Sequence, residues 1–214
     1  SYGVIKNFRK EMGKIGVMLR MDSNASALCE FDPQPGIRKN TVEHALRLGV
    51  DGLMCMGFPG KFGEGESNDR VSMQVVEEVA AMCDRWGLIS AAEMLPFGFS
   101  SNPDHRSVDM MKVACRMGAE IGIDFVKTAY VPPSSDFKKV VENCYVPILA
   151  LGGPFNPDSR VMLEHVRGAM DAGCRGVVMG RNIHQNPNIP GFVSAVVKVV
   201  HEDASVETAM KELG

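Results

Sequence analysis

Short apolar runs alternate with helix-patterned segments six times along this chain, and that rhythm limits what it can fold into. The runs fall at Ile15–Met21, Gly52–Gly57, Leu88–Met94, Ile121–Tyr130, Val146–Leu151 and Gly176–Met179. The segments between them show the other period. In Val71–Trp86 the apolar positions Val75, Val76, Val79 and Met82 fall on one helical face. A strand recurring every roughly 30 residues with a helix between is the βαβ unit, which builds a parallel sheet through right-handed crossovers. The fold class expected is α/β, a (β/α)8 barrel of which six units are visible. The chain opens at Ser1 inside a helical pattern, so the first two βα units, on the order of 60 residues, are expected upstream. A complete doubly wound sheet of six strands is the alternative. No stretch has linker composition, so 1–214 reads as a single, N-terminally incomplete barrel domain.

Loop chemistry punctuates the pattern. Phe31–Arg38 holds Pro33, Pro35 and Gly36 and is expected to be a loop. Phe58–Asp69, with Gly60, Gly63 and Gly65, reads as a long solvated βα connector. Thr41 is placed to cap a helix, as are Ser134 or Ser135 and Asp158 or Ser159 further on.

The fourth run carries the chemistry. In a strand, Ile123 and Phe125 share a face with Lys127. A lysine between bulky apolar neighbours loses hydration, which favours the neutral amine, and such an amine condenses with carbonyls to form a Schiff base. A strand-end lysine that simply reaches solvent is the plainer alternative. Two glycine turns follow on the next two runs, Gly152-Gly153-Pro154 and Gly180-Arg181-Asn182. Glycine lets backbone N–H groups approach an anion, and arginine adds a planar fork of donors. Each turn alone is ordinary turn chemistry. In this order, lysine and then two glycine turns, they match a phosphate site at the top of a barrel.

Candidate acids and bases are Glu93, Tyr130 and Asp22. Glu93 ends a strand near the active face, where a carboxylate serves proton transfer or a structural hydrogen bond. Tyr130, three residues past Lys127, either reaches the barrel mouth or packs at its rim. Asp22 lies two residues from Arg20, and a structural ion pair is the leading expectation for both. His44 is expected on a helix surface, and His184, just past Gly180-Arg181, at a helix start.

These motifs resemble a known family. Val126-Lys127-Thr128-x-Tyr130, Val146-Pro147-Ile148 with Gly152-Gly153, and Gly180-Arg181-Asn182-Ile183-x-Gln185 look like the class I aldolases of the DeoC/LacD superfamily. Within it the chain is similar to archaeal-type fructose-bisphosphate aldolases and to the hydroxy-pentanedione-phosphate thiolase of quorum-signal processing. The resemblance implies a (β/α)8 barrel with Lys127 as the Schiff-base residue and Gly152, Gly153, Gly180 and Arg181 around a substrate phosphate. Two departures stand out. The family aspartate of strand one is expected in the missing upstream segment. The family's tyrosine acid/base turn is here Glu93-Met94-Leu95-Pro96-Phe97-Gly98, where Leu95 has no proton to give and Phe97 replaces a cation.

The expected activity is therefore that of a Schiff-base aldolase, a carbon–carbon lyase or transferase acting on a small phosphorylated ketose or diketone. Thiolase-like acyl transfer on a phosphorylated diketone and non-catalytic sugar-phosphate binding are the alternatives. No metal or other cofactor is expected, because an iminium replaces a Lewis acid. A net charge of −3 gives no reason to expect nucleic acid or an anionic membrane as partner, and no run reaches membrane-span length. The six scattered cysteines form no C-x-x-C pair and point to a reducing, cytoplasmic setting. A homo-oligomer is expected on resemblance alone.

Overall fold

The computed structural model describes residues 1–23, 36–37, 41–60 and 68–214. Its strands in chain order are β1 (Met18–Arg20), β2 (Asp22–Ser23), β3 (Gly36–Ile37), β4 (Gly52–Gly57), β5 (Ile89–Met94), β6 (Phe125–Ala129), β7 (Ile148–Leu151) and β8 (Gly176–Val178). Its helices are α1 (Tyr2–Phe8), α2 (Thr41–Arg47), α3 (Asn68–Trp86), α4 (Val108–Ile121), α5 (Ser134–Asn143), α6 (Ser159–Asp171), α7 (Arg181–His184), α8 (Ile189–His201) and α9 (Val206–Met210).

Six strands form one curled parallel sheet in the order β1-β4-β5-β6-β7-β8. The order never reverses, so there is no switch point and the doubly wound alternative is excluded. The strongly packed helices follow one another along one side, α3 on α4, α4 on α5, α5 on α6 and α6 on α8. The result is an arc of a barrel in which β1 and β8 are the two ends. Among the described residues nothing supplies the two further units that the eight-strand pattern calls for.

Strand alternation sorts the side chains. Leu19, Met21, Leu53, Cys55, Ala92, Met94, Val126, Ile148 and Ala150 point to the helices and join the main core with Val76, Val79, Met111, Ala114 and Phe137. A second cluster joins α6, α8 and α9 through Leu163, Val166, Phe192, Val199 and Ala209. Close approach at the strand–helix interface is tight. A Cβ on Gly57 would lie 2.6 Å from the Met94 sulfur, and one on Gly118 would lie 3.0 Å from Met94 Cγ.

Some expectations change. The segment Phe31–Arg38 is not all loop. Gly36–Ile37 pairs antiparallel with Asp22–Ser23 as β3 on β2, because the backbone beyond β1 offers a free partner strand. The rest of that segment, and most of the Phe58–Asp69 connector, lie outside the described residues. Ile123 precedes β6 rather than sharing its face with Lys127; Gly122 caps α4 in the left-handed conformation and delays the strand. Ser134 is the first residue of α5 and Pro133 takes the cap position. Asp158 caps α6 as expected, accepting from the Arg160 N–H. His44 is exposed and packs on Tyr2, with ring centroids 5.3 Å apart. No described helix is long and apolar enough to cross a membrane.

Candidate active site

The inner face of the arc carries the charged side chains. Register places Met56 opposite Glu93, Glu93 opposite Lys127, Lys127 opposite Leu149, and Leu149 opposite Gly176. Lys127 and Glu93 are thus cross-strand neighbours on the same face, and their side chains meet. Lys127 Nζ lies 2.7 Å from Glu93 Oε2. The two side chains keep only 16% and 12% of their surface in contact with solvent. At that burial the charges need each other, and removing one strands the other. Nothing in the local sequence joins them. They are 34 positions apart, and only the β5–β6 register brings them together.

Asp22 is on this face too, next to β4. Its carboxylate takes a two-pronged contact from Arg20, at 2.7 Å from Nε and 3.1 Å from Nη2, and also accepts the Met56 N–H at 3.2 Å. Both carboxylate oxygens are thus engaged in structural contacts, in line with the expected structural pair.

Tyr130 is not brought to Lys127. Its hydroxyl lies 3.0 Å from the Ser134 Oγ, and its ring stands edge-on to Phe137 and His165. The reason is parity. Positions 127 and 130 are an odd number apart along an extended chain, so they leave opposite faces, and Tyr130 enters the helix layer. His165 sits there with it, its Nε2 3.2 Å from the Leu151 carbonyl. Burial pushes the His165 imidazole below its usual range, and the Leu151 carbonyl only partly offsets this.

Above the ion pair lies a small apolar cluster of Met56, Phe58 and Leu95, with Ala129 and Leu151 against it. Leu95 is buried in it, so the position at which the resemblance calls for a tyrosine offers no proton here.

The two glycine turns close the site at the ends of β7 and β8. They touch: a Cβ on Gly152 would meet Met179 Cγ at 2.9 Å. Gly153 takes a φ of 66°, which L side chains rarely adopt. Among the described residues no acceptor receives the N–H of Gly152, Gly153 or Gly180. Gly180 and Arg181 are exposed at the mouth. Asn182, which the sequence reading left without a role, is buried and bonds to the β7 turn. Its only sequence signal was its place in the Gly-Arg-Asn motif.

The sequence pattern of the DeoC/LacD family aldolases matches residues 1–186. This chain belongs to that family. It is an aldolase-type enzyme of the class I kind. The DeoC/LacD aldolase is 30% identical over 214 residues to the 2-amino-3,7-dideoxy-D-threo-hept-6-ulosonate synthase of Halobacterium salinarum, covering 99% of this chain and 76% of that relative. It is 29% identical over 191 residues to the 2-amino-4,5-dihydroxy-6-oxo-7-(phosphonooxy)heptanoate synthase of Streptomyces griseus, covering 89% and 68% of the two chains. Among solved structures, an archaeal fructose 1,6-bisphosphate aldolase superposes with a TM-score of 0.81 at 22% identity, over 94% of this chain and 76% of that one. A Schiff-base-forming fructose-1,6-bisphosphate aldolase gives the same TM-score and identity, over 93% and 76%. At that identity the likeness establishes the barrel-type fold of this DeoC/LacD aldolase.

Proposed function

We propose that this DeoC/LacD aldolase cleaves or forms a carbon–carbon bond in a small phosphorylated ketose or ketone through a Schiff base on Lys127. The observation that carries this reading is the 2.7 Å contact between Lys127 Nζ and Glu93 Oε2 on the inner face of the arc. Glu93 is within reach to take a proton from the amine, which leaves the nitrogen lone pair free to attack a ketone carbon. Glu93 gives that proton to the carbinolamine hydroxyl, which leaves as water and yields the iminium. The substrate's β-hydroxyl then loses its proton to the Glu93 carboxylate as the Cα–Cβ bond breaks, so that the aldehyde departs and the electron pair of that bond is taken up as the enamine. Glu93 protonates the enamine carbon, and water hydrolyses the resulting iminium to release the ketone and regenerate the Lys127 ammonium. Glu93 and Lys127 are the catalytic residues of this proposal. Tyr130 has no part in it, because its hydroxyl is on the other side of β6.

The N–H groups of Gly152, Gly153 and Gly180, which meet no acceptor among the described residues, form with the exposed Arg181 guanidinium the phosphate end of the site. Held there, a phosphorylated ketone presents its carbonyl to the amine, which lowers the entropic part of the barrier. The names of the relatives, one a synthase of a phosphonooxy heptanoate, support a phosphorylated substrate. A homo-oligomer and a cytoplasmic location complete this reading, the latter supported by five buried free thiols.

Leu95 favours one second reading. With Met56 and Phe58 packed around it, that position offers no hydroxyl to carry the proton that the aldehyde-forming hydroxyl of a substrate must lose. Acyl transfer on a phosphorylated diketone has no such hydroxyl to deprotonate.

Borohydride reduction in the presence of dihydroxyacetone phosphate tests the Schiff base, followed by peptide mass mapping. A reduced adduct is expected on Lys127 and on no other lysine, and Lys127→Met is expected to abolish it. Folded wild-type protein that gives no adduct with any phospho-ketone leaves non-catalytic binding as the function.

A further inference from the structure

The two glycine turns sit on different strands, and a phosphate group is only a few ångströms across. Their N–H groups converge on one anion only if something fixes the turns relative to each other. Main-chain sheet pairing stops before the turns do, since the β7–β8 ladder ends at Leu151 opposite Val178. Beyond that point one side chain takes over. Asn182 is 2% exposed and uses both amide protons and its oxygen on the partner turn. Nδ2 donates to the Gly152 carbonyl at 2.7 Å and to the Pro154 carbonyl at 2.9 Å, and Oδ1 accepts the Asn156 N–H at 2.8 Å. All three partners are backbone groups of the β7–α6 connection, and none is a side chain. The brace extends onward, because Asn156 Oδ1 accepts the Asp158 N–H at the start of α6.

We propose that Asn182 is a positioning residue for phosphate recognition: it locks the Gly152-Gly153 turn to the Gly180-Arg181 turn so that both can serve one phosphate group. The proposal rests on the reading of these turns as a phosphate site. Asn182 itself needs no contact with the substrate, since its polar atoms are all committed to the backbone of the other turn. A planar amide with two donors and one acceptor matches two carbonyls and one N–H. Serine lacks the second donor and the reach, and alanine lacks all three bonds.

A structural role alone and a positioning role separate in ligand selectivity. The test compares half-saturation of borohydride trapping on the full chain with dihydroxyacetone phosphate and with unphosphorylated dihydroxyacetone, for wild type, Asn182→Ala and Asn182→Ser. Inorganic phosphate binding to the same proteins is measured by calorimetry in parallel, so that the phosphate site is read without relying on Lys127. The expected result is a wild-type preference for the phosphorylated probe that drops at least about tenfold in both variants, with trapping of dihydroxyacetone unchanged and inorganic phosphate bound correspondingly more weakly. The serine variant keeps a small polar group at the position and serves if the alanine variant fails to fold. Variants that keep the wild-type preference and phosphate affinity overturn the positioning role and leave the phosphate site standing. So does an equal loss with both probes, which marks a scaffold residue. Wild-type protein that binds no inorganic phosphate and shows no preference overturns the phosphate site itself, and Asn182's role with it. If trapping fails with both probes while phosphate binds, the Schiff-base reading falls and the calorimetric comparison alone decides on Asn182.

Discussion

At the scale of single residues the site is two short-range facts. The first is the Lys127–Glu93 pair. Because both side chains are nearly buried, replacing Glu93 with Gln leaves an uncompensated ammonium on the inner face. Breaking a buried pair costs about 3–5 kcal/mol. Glu93→Gln is therefore expected to lower the unfolding free energy by an amount near the low end of that range, since glutamine still accepts from the amine. It is also expected to slow adduct formation with dihydroxyacetone phosphate at least tenfold. Chemical denaturation and timed borohydride quenching check the two effects separately. The second fact is Arg181. Its exposed guanidinium makes no ion pair among the described residues. Arg181→Ala is expected to leave stability unchanged and to weaken phosphorylated ligands by about 1.5–3 kcal/mol, the worth of a hydrogen bond to a charged group. Equal binding of phosphorylated and unphosphorylated versions of one ligand by the wild type would remove arginine and glycines together from the site.

At the scale of elements, α6 packs against the residue that follows β6 and against the end of β7. Tyr130 from the end of β6 lies against Gly168 of α6, where a Cβ would stand 2.5 Å from the phenolic oxygen. Gly168→Ala forces the ring or the helix to move, and overpacking of this kind costs about 1–3 kcal/mol. Thermal unfolding measures it, and a Tyr130→Phe background should relieve part of the loss. His165 of α6 gives a pH signature. Burial holds its folded-state pKa below the value of about 6.5 of an exposed imidazole. The unfolded chain then binds the additional proton first as pH falls. The stabilisation is fully present above about pH 6.5 and is lost progressively as pH falls from there toward the lower folded-state pKa. His165→Gln is expected to flatten the fall in melting temperature between about pH 7.5 and about pH 5.5. A fall as steep as the wild type's would assign the acid sensitivity to other groups.

At the scale of the whole molecule the arc depends on the layer behind it. Phe137 of α5 and Phe192 of α8 are each fully buried, one in the main core and one in the cluster that joins α6, α8 and α9. Truncation of either to alanine is expected to cost about 3–5 kcal/mol. If the two clusters unfold as one unit, both variants keep a single transition by circular dichroism and by hydrogen exchange. The same layer buries five free thiols. Burial pushes Cys83 up to about 11 and Cys174 up to about 12, and raises Cys55, Cys115 and Cys144 as well. These thiols are protonated at neutral pH and shielded. Ellman's reagent is expected to label them only after denaturation, at a rate set by unfolding.

The features that the sequence alone determined are those decided by neighbours in the chain. Short apolar runs between helical patterns fix parallel strands and their sequential order, because βαβ crossovers leave little choice of hand or neighbour. Glycine at Gly153 marks a turn because its φ of 66° is costly for other residues. The family motifs around Lys127 and Gly180 were legible for the same local reason, and so in principle was the parity that sends Tyr130 to the helix side. Tertiary structure decided the rest. Glu93 and Lys127 are 34 positions apart, and Asn182 is 28 and 30 positions from the carbonyls it holds. Which of two adjacent strands' residues stand opposite each other depends on register, and register is set by how the whole sheet buries its outer face against the helices. A one-residue slip between β5 and β6 would turn Glu93 into the helix layer with every strand still intact, so no local pattern in the chain encodes that contact.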